Sequence, residues 1–463
     1  MKKAVWIICL LIYSSFTNAQ PIKERLTKAV SRLVADEQMK HAILGISVLQ
    51  SDKSEVIFEM NAQIGLVPAS CQKIITSATA MELLGPQFRY QTILGYKGSI
   101  KGGILKGDIQ LIGGGDPTLG SWRYETTKDE KLLQQWVESI KQKGITKIEG
   151  ELTCFNGKWD NQTLPGGWIW DDIGNYYGAG SSALNWRENQ YDLVLESGKI
   201  VGDKVSIVNT KPRLYGINLM SQLISANKGS GDKAYIYLPP TSQNGFISGT
   251  IPMDETAFTI SGSFPDPSFQ LLATLNAQLV LENLKPEQFS VVTDKEMPVT
   301  QTISVINSPS LDSINYWFMK KSINLYGEAL LKTMAYEKTG MGSTEKGVEL
   351  VKKFWKEKGI ESSALHIIDG SGLSPQNRVT TDALVKVLDY SRGRSWFNYY
   401  YDALPIYNQM KLKSGTIGGA KSFAGYHTSK DGTNYTVAII INNYDGSSNE
   451  LVKKIFLVLD ELK

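Results

Sequence analysis

Two hydrophobic patterns alternate along this chain, and their order limits the folds that it can adopt. Residues 44–61 have the pattern of a β-hairpin, and an apolar helix is predicted over 70–84, where a Gly-Pro pair ends it. Short β-rich runs separated by turn residues fill 87–300. Helical periodicity returns from 311, and three β-rich runs and a helix close the chain. An isolated hairpin is unstable, so the first segment must be completed by the last elements, around an inserted middle.

The composition is that of a globular chain, with 42% hydrophobic and 21% charged residues. The formal net charge of +3 argues against a broad nucleic-acid-binding surface. We therefore predict no nucleic-acid partner. The inserted region, 87–300, is predicted to hold one or two β-rich modules, the second at about 195–265.

Residues 1–19 have the features of a secretory signal peptide: two lysines, a short apolar stretch and a small residue before the cut. The alternative is an uncleaved membrane anchor, but the apolar stretch has about half of the ~20 residues that a span needs. We expect a soluble or peripherally attached protein of the periplasm or cell exterior. Cys71 and Cys154 remain after cleavage; one disulfide is the alternative to two free thiols.

Among the Ser-x-x-Lys stretches of the chain, the one at Ser70 and Lys73 has the best context. It opens the apolar helix, where positions i and i+3 share a face, so that the amine can reach the hydroxyl. A desolvated lysine beside another cation has a lowered pKa and can act as a general base. The stretch at Ser225 runs into a glycine-rich loop, and Ser343 is interpreted as a helix cap.

Two further motifs fit the same chemistry. Lys413-Ser414-Gly415 lies on a predicted strand, whose edge can pair with a peptide backbone and hold a carboxylate. Ser322-Ile323-Asn324 falls between two predicted helices, in a loop that can direct polar side chains into a cleft.

Neither metal nor nucleotide chemistry is supported. The three histidines show no metal-ligand spacing, and no Gly-x-Ser-x-Gly elbow occurs. Only His427, near the last strands, is kept as a candidate for the edge of a site. Residues 415–422 resemble a phosphate-binding loop but have alanine at the second required glycine and a strand after it. We predict no metal or organic cofactor.

The order and spacing of these motifs resemble a known family. Pro68 to Lys73, Ser322 to Asn324 and Lys413 to Gly415 come in the order found in serine penicillin-binding proteins and β-lactamases. The long interval between the first two motifs resembles the D-alanyl-D-alanine carboxypeptidase/endopeptidase family of penicillin-binding protein 4. The stretches Gly114–Leu119, Asn324–Leu330 and Asp369–Ser374 agree with this resemblance.

The resemblance implies an α+β fold of the β-lactamase/transpeptidase type. A mainly antiparallel sheet between helical layers would be formed by 20–86 and 301–463. The β-rich region 87–300, with two modules, would be inserted in this split catalytic domain.

The resemblance also implies roles for single residues. Ser70 would be the nucleophile, Lys73 its base, and Ser322 and Asn324 part of a proton-transfer and substrate-holding network. Lys413 would keep Lys73 neutral. Lys413, Ser414 and Thr416 would hold the terminal carboxylate, next to Gly415, and the N–H groups of Ser70 and Thr416 would form the oxyanion hole.

Two residues of the insertion match positions that contact substrate in the family. Asp172 would meet the free amine of a diamino-acid stem residue, and Tyr177 would form an aromatic wall; the alternative for Asp172 is a solvated turn. Pro375 stands where some relatives carry arginine, which puts the substrate preference in doubt.

The function implied is that of a periplasmic serine DD-peptidase. It would cleave D-Ala-D-Ala termini, cross-bridges of peptidoglycan stem peptides, or both, and would be acylated by β-lactams. The alternatives are a catalytically silent peptidoglycan-binding protein and a β-lactamase; the intact motifs oppose the first, and no carboxylate loop supports the second. The oligomeric state and any peripheral membrane association stay open.

Overall fold

The computed structural model describes residues 21–293, 298 and 300–463, so the predicted signal peptide, 1–19, lies outside the described residues. In the described part, no helix has both the length and the apolarity to span a bilayer. The α-helices are α1 Ile22–Val34, α2 Lys73–Leu83, α3 Asp129–Gln142, α4 Trp170–Ile173, α5 Pro267–Leu281, α6 Leu311–Lys320, α7 Asn324–Thr339, α8 Thr344–Glu357, α9 Thr381–Arg392, α10 Phe397–Ala403 and α11 Ser448–Leu459.

The strands form six sheets in the described residues. They are β1 Ile43–Gln50, β2 Glu55–Met60, β3 Gln91–Tyr96, β4 Ser99–Lys101, β5 Ile104–Lys106, β6 Ile109–Ile112, β7 Lys147–Glu149, β8 Leu152–Phe155, β9 Gln190–Glu196, β10 Ser206–Lys211, β11 Asn218–Ser221, β12 Ile224–Ala226, β13 Lys233–Tyr237, β14 Asn244–Pro252, β15 Phe258–Ser263, β16 Phe289–Val292, β17 Gln301–Asn307, β18 Leu365–His366, β19 Arg378–Val379, β20 Ile406–Tyr407, β21 Met410–Ile417, β22 Ala420–Thr428 and β23 Asn434–Asn442.

The largest sheet joins the two ends of the chain. Its six strands have the order β2-β1-β23-β22-β21-β20, and every neighbouring pair is antiparallel. The hairpin of β1 and β2, which cannot hold itself together in water, is completed by β23 from the C-terminus.

Helices cover both faces of this sheet because its central strand is apolar on both sides. Along β23, Val437 and Ile439 pack in a core with α1 and α11, whereas Ala438 and Ile440 pack in a second core with α2 and α6 to α9. Alternate strand residues point to opposite faces, so the sheet lies between two helical layers, as the resemblance implied. The apolar stripe of α11 is part of the first core.

Helix α2 lies at the centre of the second core, and its side chains from Ile74 to Met81 are buried on every face. The predicted helix over 70–84 begins differently from the prediction. Ala69–Gln72 form a 3₁₀ turn, and the α-helix starts only at Lys73. Ser70 therefore lies on the turn that leads into α2.

The inserted region has its own sheets and core. A five-stranded sheet has the order β16-β8-β6-β3-β17, and the strands from β9 to β15 form two smaller sheets over 190–263. The predicted domain boundary at 301 is wrong at this point: β17 begins there and pairs with β3, so it belongs to the inserted sheet. Side chains from both groups of sheets share one apolar core, so the division into two modules stays a prediction.

Cys71 and Cys154 are buried and free. Cys71 lies in the core around α2, and Cys154 lies in the core of the insertion. Their positions in two separate cores exclude the alternative of a disulfide between them in this structure.

The packing around α7 predicts a large cost for a cavity there. Leu330 of α7 is fully buried, so we expect Leu330→Ala to lower the free energy of unfolding by about 2–5 kcal/mol. Leu457 of α11 is 65% exposed, and Leu457→Ala is the matched control, with an expected loss below about 0.5 kcal/mol. Denaturant unfolding measures both; equal losses would contradict this account of the core.

Candidate active site

The turn before α2 brings the first predicted pair together. The Lys73 Nζ lies 3.0 Å from the Ser70 Oγ, within hydrogen-bond distance. Ala69, just before the serine, has a φ of +46°, a conformation that residues with a Cβ seldom adopt. Backbone strain of this kind concentrates at functional sites because the surrounding structure must hold it.

The Lys73 amine is surrounded by acceptors from distant parts of the chain. Its Nζ donates to the Asn324 Oδ1 at 2.6 Å and to the Ser371 carbonyl at 2.7 Å. Asn324 is the first residue of α7, and its Nδ2 donates to the Tyr177 carbonyl of the insertion at 2.8 Å. One asparagine side chain therefore links the candidate base to the inserted region.

The environment of Lys73 favours its neutral form. The side chain is fully buried, and this burial lowers its pKa well below the usual lysine value, with a smaller contribution from the charge of Lys413. Asp369 and Glu328 oppose the shift. Burial and the nearby Asp369 in turn raise the pKa of Glu328. Glu328 therefore carries less negative charge and does less to oppose the lowering of the Lys73 pKa. An unprotonated amine is the form that can accept a proton.

Lys413 of β21 forms the second predicted pair with Ser322. Its Nζ donates to the Ser322 Oγ at 2.9 Å and to the Ser414 carbonyl at 2.8 Å. Ser322 lies in the connection between α6 and α7 with a φ of +58°. Burial lowers the pKa of Lys413 to about 8, so the amine still carries a positive charge near neutral pH.

The surroundings of Gly415 explain why the Lys-Ser-Gly stretch on β21 has a glycine at its third position. A Cβ at this position would lie 2.5 Å from the Pro68 carbonyl oxygen and 2.9 Å from the Ser70 nitrogen. Real Cβ atoms do not approach that closely, so only glycine lets β21 pack against the turn that carries Ser70. This contact brings the strand edge to the candidate nucleophile.

These groups meet at a cavity of about 600 Å³ between the sheet domain and the insertion. Three of the residues predicted to bind substrate, Asp172, Tyr177 and Thr416, line it. Burial and the neighbouring Asp171 raise the pKa of Asp172 to about 6, against a smaller lowering by Tyr177. The lining is formed by Ser70, Arg123, Ile169, Asp172, Tyr176, Tyr177, Glu188, Gln190, Lys321, Ser322, Ile323, Asn324, Leu325, Gly372, Leu373, Pro375, Thr416, Ile417 and Gly418.

Two predicted substrate-binding residues do not line this cavity. Ser414 is not among the lining residues, and its hydroxyl donates to the Tyr407 hydroxyl at 3.1 Å. Gly415 is covered by the packing described above. His427 is also absent from the lining; it lies further along β22, where Lys463 is near it.

Sequence reasoning gave no role to Asp369, which orders the loop beside Lys73. Its buried carboxylate accepts five hydrogen bonds, including one from the Trp168 Nε1 of the insertion at 2.9 Å. The Asp-Gly-Ser-Gly run at 369–372 could have indicated this role, because such a run favours a tight, hydrogen-bonded turn. The ordered loop presents the Ser371 carbonyl to Lys73.

Another missed group is a buried ion pair at the cavity wall. The Arg123 Nε donates to the Glu188 Oε1 at 2.9 Å, and the Tyr326 hydroxyl donates to the same oxygen at 2.9 Å. Arg123 and Glu188 belong to the insertion, and Tyr326 belongs to α7. Among the described residues, no group of His, Cys, Asp or Glu side chains is arranged to hold a metal ion.

Comparison with known proteins identifies the family. A model of the D-Ala-D-Ala carboxypeptidase 3 (S13) family matches residues 26–461, nearly the whole chain. The chain belongs to this family. The S13 match confirms the predicted family and the predicted enzyme class, a serine-type D-Ala-D-Ala carboxypeptidase.

Individual relatives agree with the S13 assignment. The D-alanyl-D-alanine carboxypeptidase of Actinomadura sp. is 23% identical over 460 residues, which cover 91% of this chain and 81% of the relative. The crystal structure of penicillin binding protein 4 from Haemophilus influenzae has a TM-score of 0.80 at 22% identity, and the match covers 93% and 98% of the two chains. That protein complexed with a novel β-lactam has a TM-score of 0.75 at 20% identity, covering 94% and 98%. These structures confirm the α+β fold of this S13 chain.

The packing of Gly415 predicts that Gly415→Ala lowers the rate of acylation by penicillin at least tenfold. The added Cβ would force β21 away from the Ser70 turn, and misplacing a reacting group by about 1 Å can cost roughly 100-fold in rate. Gly166→Ala is the control because a Cβ there meets no atom within 4 Å. Stopped-flow or gel-based labelling measures the acylation rates. An unchanged rate in Gly415→Ala would show that acylation does not depend on the close packing of Gly415 against the Ser70 turn.

Proposed function

We propose that Ser70 is the nucleophile of this S13 peptidase and that Lys73 is its general base. The observation that carries this proposal is the position of the Lys73 Nζ, 3.0 Å from the Ser70 Oγ. A neutral amine has two N–H bonds and one lone pair. When the two N–H bonds point to Asn324 and Ser371, the lone pair is left to accept the Ser70 proton.

The reaction then proceeds in two stages. The Ser70 oxygen attacks the carbonyl carbon of the penultimate D-Ala, and its proton moves to Lys73. Ser322, held by Lys413, passes its proton to the leaving amine and takes up the proton that Lys73 received from Ser70. The peptide C–N bond breaks, and an ester with Ser70 remains. Water attacks this ester, releases the shortened peptide as a carboxylate and returns a proton to the Ser70 oxygen.

The oxyanion formed at each stage needs fixed donors. We propose the backbone N–H groups of Ser70 and Thr416; the close packing of Gly415, the residue before Thr416, against the Ser70 turn supports this choice. Donors fixed before the reaction stabilise the developing charge without reorganisation, and removing one typically costs about 100-fold or more in rate.

The substrates that fit this site are peptidoglycan stem peptides that end in D-Ala-D-Ala or are cross-linked through D-Ala. Asp172 would meet a free amine of the stem, and Tyr177 would form a wall of the same cavity. β-Lactams would acylate Ser70 as covalent inhibitors; the relative from H. influenzae complexed with a β-lactam supports this. The pattern of 1–19 supports export to the periplasm, where peptidoglycan lies.

Labelling with a fluorescent penicillin tests the nucleophile. We expect stable labelling of the wild-type protein and none in Ser70→Ala, because the acyl-enzyme needs the serine oxygen. Ser343→Ala is the matched control: it removes the serine of another Ser-x-x-Lys stretch, which caps α8, and should keep labelling.

Two outcomes would contradict the proposal. Labelling of Ser70→Ala would place the nucleophile elsewhere. Folded wild-type protein that is not labelled and leaves penicillin intact would favour a silent binding protein, whereas rapid consumption of penicillin would favour a β-lactamase.

The pKa of Asp172 predicts a pH dependence for substrates that carry a free amine. Because this pKa is about 6, the carboxylate is charged at pH 7.5 and protonated at pH 5, and its attraction for the amine is lost as the pH falls. We expect the KM for the amine-bearing peptide to rise roughly fivefold at pH 5, the equivalent of about 1 kcal/mol. The KM of the N-acetylated peptide should not show this rise.

Asp172→Asn should abolish the difference between the two peptides, and Asp171→Asn is the control on the neighbouring acid. Steady-state kinetics from pH 5 to 8 measure the KM of each peptide. If the KM of the wild-type enzyme had the same pH dependence for both peptides, Asp172 would not bind the free amine.

A further inference from the structure

A second cavity lies next to the catalytic one and contains none of the catalytic motifs. Its volume is about 340 Å³, which is within the range of about 300–1,000 Å³ that is usual for small-molecule sites. It lies where α6, α10 and a loop of the insertion meet. Four aromatic rings and two carboxylates line it, from Tyr124, Tyr316, Trp317, Tyr399, Asp312 and Asp402.

One contact between side chains joins the two cavities. Arg123 lines the catalytic cavity, and its guanidinium carbon lies 5.3 Å from the centre of the Trp317 ring, which lines the second cavity. The next residue along the chain, Tyr124, also lines the second cavity. Lys321 lines the catalytic cavity and comes directly after α6. The cavities are therefore neighbours, and one extended substrate can reach both.

Two of the four aromatic rings are left largely uncovered by the rest of the chain. Tyr316 of α6 is 38% exposed, and Tyr399 of α10 is 45% exposed. The Trp317 ring stands at 86° to the Tyr316 ring, with their centres 5.3 Å apart. Uncovered aromatic surface in a concave place is characteristic of a ligand-binding site.

The charges around the second cavity favour a neutral ligand. Two lysines lie close to it: the Lys320 Nζ is 5.8 Å from the centre of the Tyr316 ring, and the Lys411 Nζ is 4.0 Å from the Asp402 carboxylate. A cationic ligand would be repelled by these lysines, and an anionic ligand would be repelled by the two carboxylates in the lining. A ligand without net charge avoids both costs.

The polar groups of the lining suit a ligand that donates hydrogen bonds. The Asp312 Oδ1 accepts from the Ser310 hydroxyl and, at 2.7 Å, from the Ser313 N–H, whereas its Oδ2 has no donor among the described residues. The Asp402 side chain is 75% exposed. Ionised carboxylates only accept hydrogen bonds, and hydroxyl groups donate them. A pyranose sugar has both features that this lining requires: an apolar face of C–H groups for an aromatic ring, and O–H donors at its rim.

We propose that the second cavity binds a sugar of the glycan strand that carries the stem peptide. The inference rests on the proposed function and extends it from the peptide to the polymer. Every stem peptide of peptidoglycan is attached to a sugar, and the strand is uncharged where its lactyl groups are joined to peptides. Tyr316 and Tyr399 would pack against the face of the sugar, and Asp312 and Asp402 would accept bonds from its hydroxyls. These residues hold the polymer and take no part in bond cleavage.

Kinetics on two matched substrates test the sugar site. One is the pentapeptide L-Ala-D-isoglutamyl-L-Lys-D-Ala-D-Ala, and the other is the same peptide attached to the disaccharide N-acetylglucosaminyl-N-acetylmuramic acid. We expect the wild-type protein to have the lower KM for the second substrate. In Tyr316→Ala/Tyr399→Ala this KM should rise roughly tenfold, the effect of about two aromatic contacts, with kcat within about twofold. The KM for the free pentapeptide should stay the same.

Two control variants accompany the alanine variant. Tyr316→Phe/Tyr399→Phe keeps both rings and should keep the low KM. Tyr215→Ala removes a partly exposed ring between β10 and β11 and should change neither KM. Equal KM values for the two substrates in the wild-type protein would overturn the proposal. A rise for the free pentapeptide as large as that for the saccharide substrate would also overturn it, because the cavity would then hold peptide.

A binding measurement separates this inference from the proposed function. Saturation-transfer NMR with the peptide-free disaccharide should give a signal with Ser70→Ala protein, and the signal should be lost when Tyr316→Ala and Tyr399→Ala are added. A signal that survives in the triple variant would place the sugar elsewhere. If the wild-type protein cleaves neither substrate but shows this loss of binding, the peptidase activity is refuted and the sugar site stands. If it cleaves both substrates with equal KM and the disaccharide does not bind, only the sugar site is refuted.

Discussion

The burial of one lysine amine sets the conditions for the rest of the site. An ammonium group without water is very costly to hold, whereas a neutral amine with its hydrogen bonds satisfied is not. Lys73 is fully buried and has oxygen acceptors from the Ser70 turn, from α7 and from the 369–372 loop. Lys413 adds a second positive charge. The fold thus produces a strong proton acceptor by removing water from it, and each neighbouring element supplies one part of that environment.

The insertion completes the site as well as enclosing it. The Tyr177 carbonyl fixes the Asn324 amide, and the Trp168 indole fixes Asp369. Further from the cavity, the buried amine of Lys332 in α7 donates to the Asp160 carboxylate at 2.8 Å. Breaking a buried pair of this kind leaves a charge without a partner, which is strongly destabilising. These contacts couple the position of the insertion to the groups around Lys73, so that the cavity has two walls in a fixed relation.

Local patterns predicted several elements closely, and their failures have physical causes. Helical periodicity was expected to return from 311, and α6 begins at Leu311. The sequence analysis did not predict α3, because it assigned the whole region 87–300 to β-rich runs. The buried residues of α3 nevertheless have helical spacing.

By itself, the sequence determined which residue types stand at the Ser-x-x-Lys, Ser-x-Asn and Lys-Ser-Gly stretches, and their order determined the family. Only the tertiary structure decided which side chains meet. Lys73 and Asn324 are 251 residues apart, and Lys413 and Ser322 are 91 apart. Hydrophobic periodicity reports the neighbours of a residue along one element and carries no information on contacts across such intervals. The charge environment of Lys73, the five donors to Asp369 and the grouping of Tyr316 with Tyr399 at one cavity arise from packing between elements, where burial and distance set the strength of each interaction.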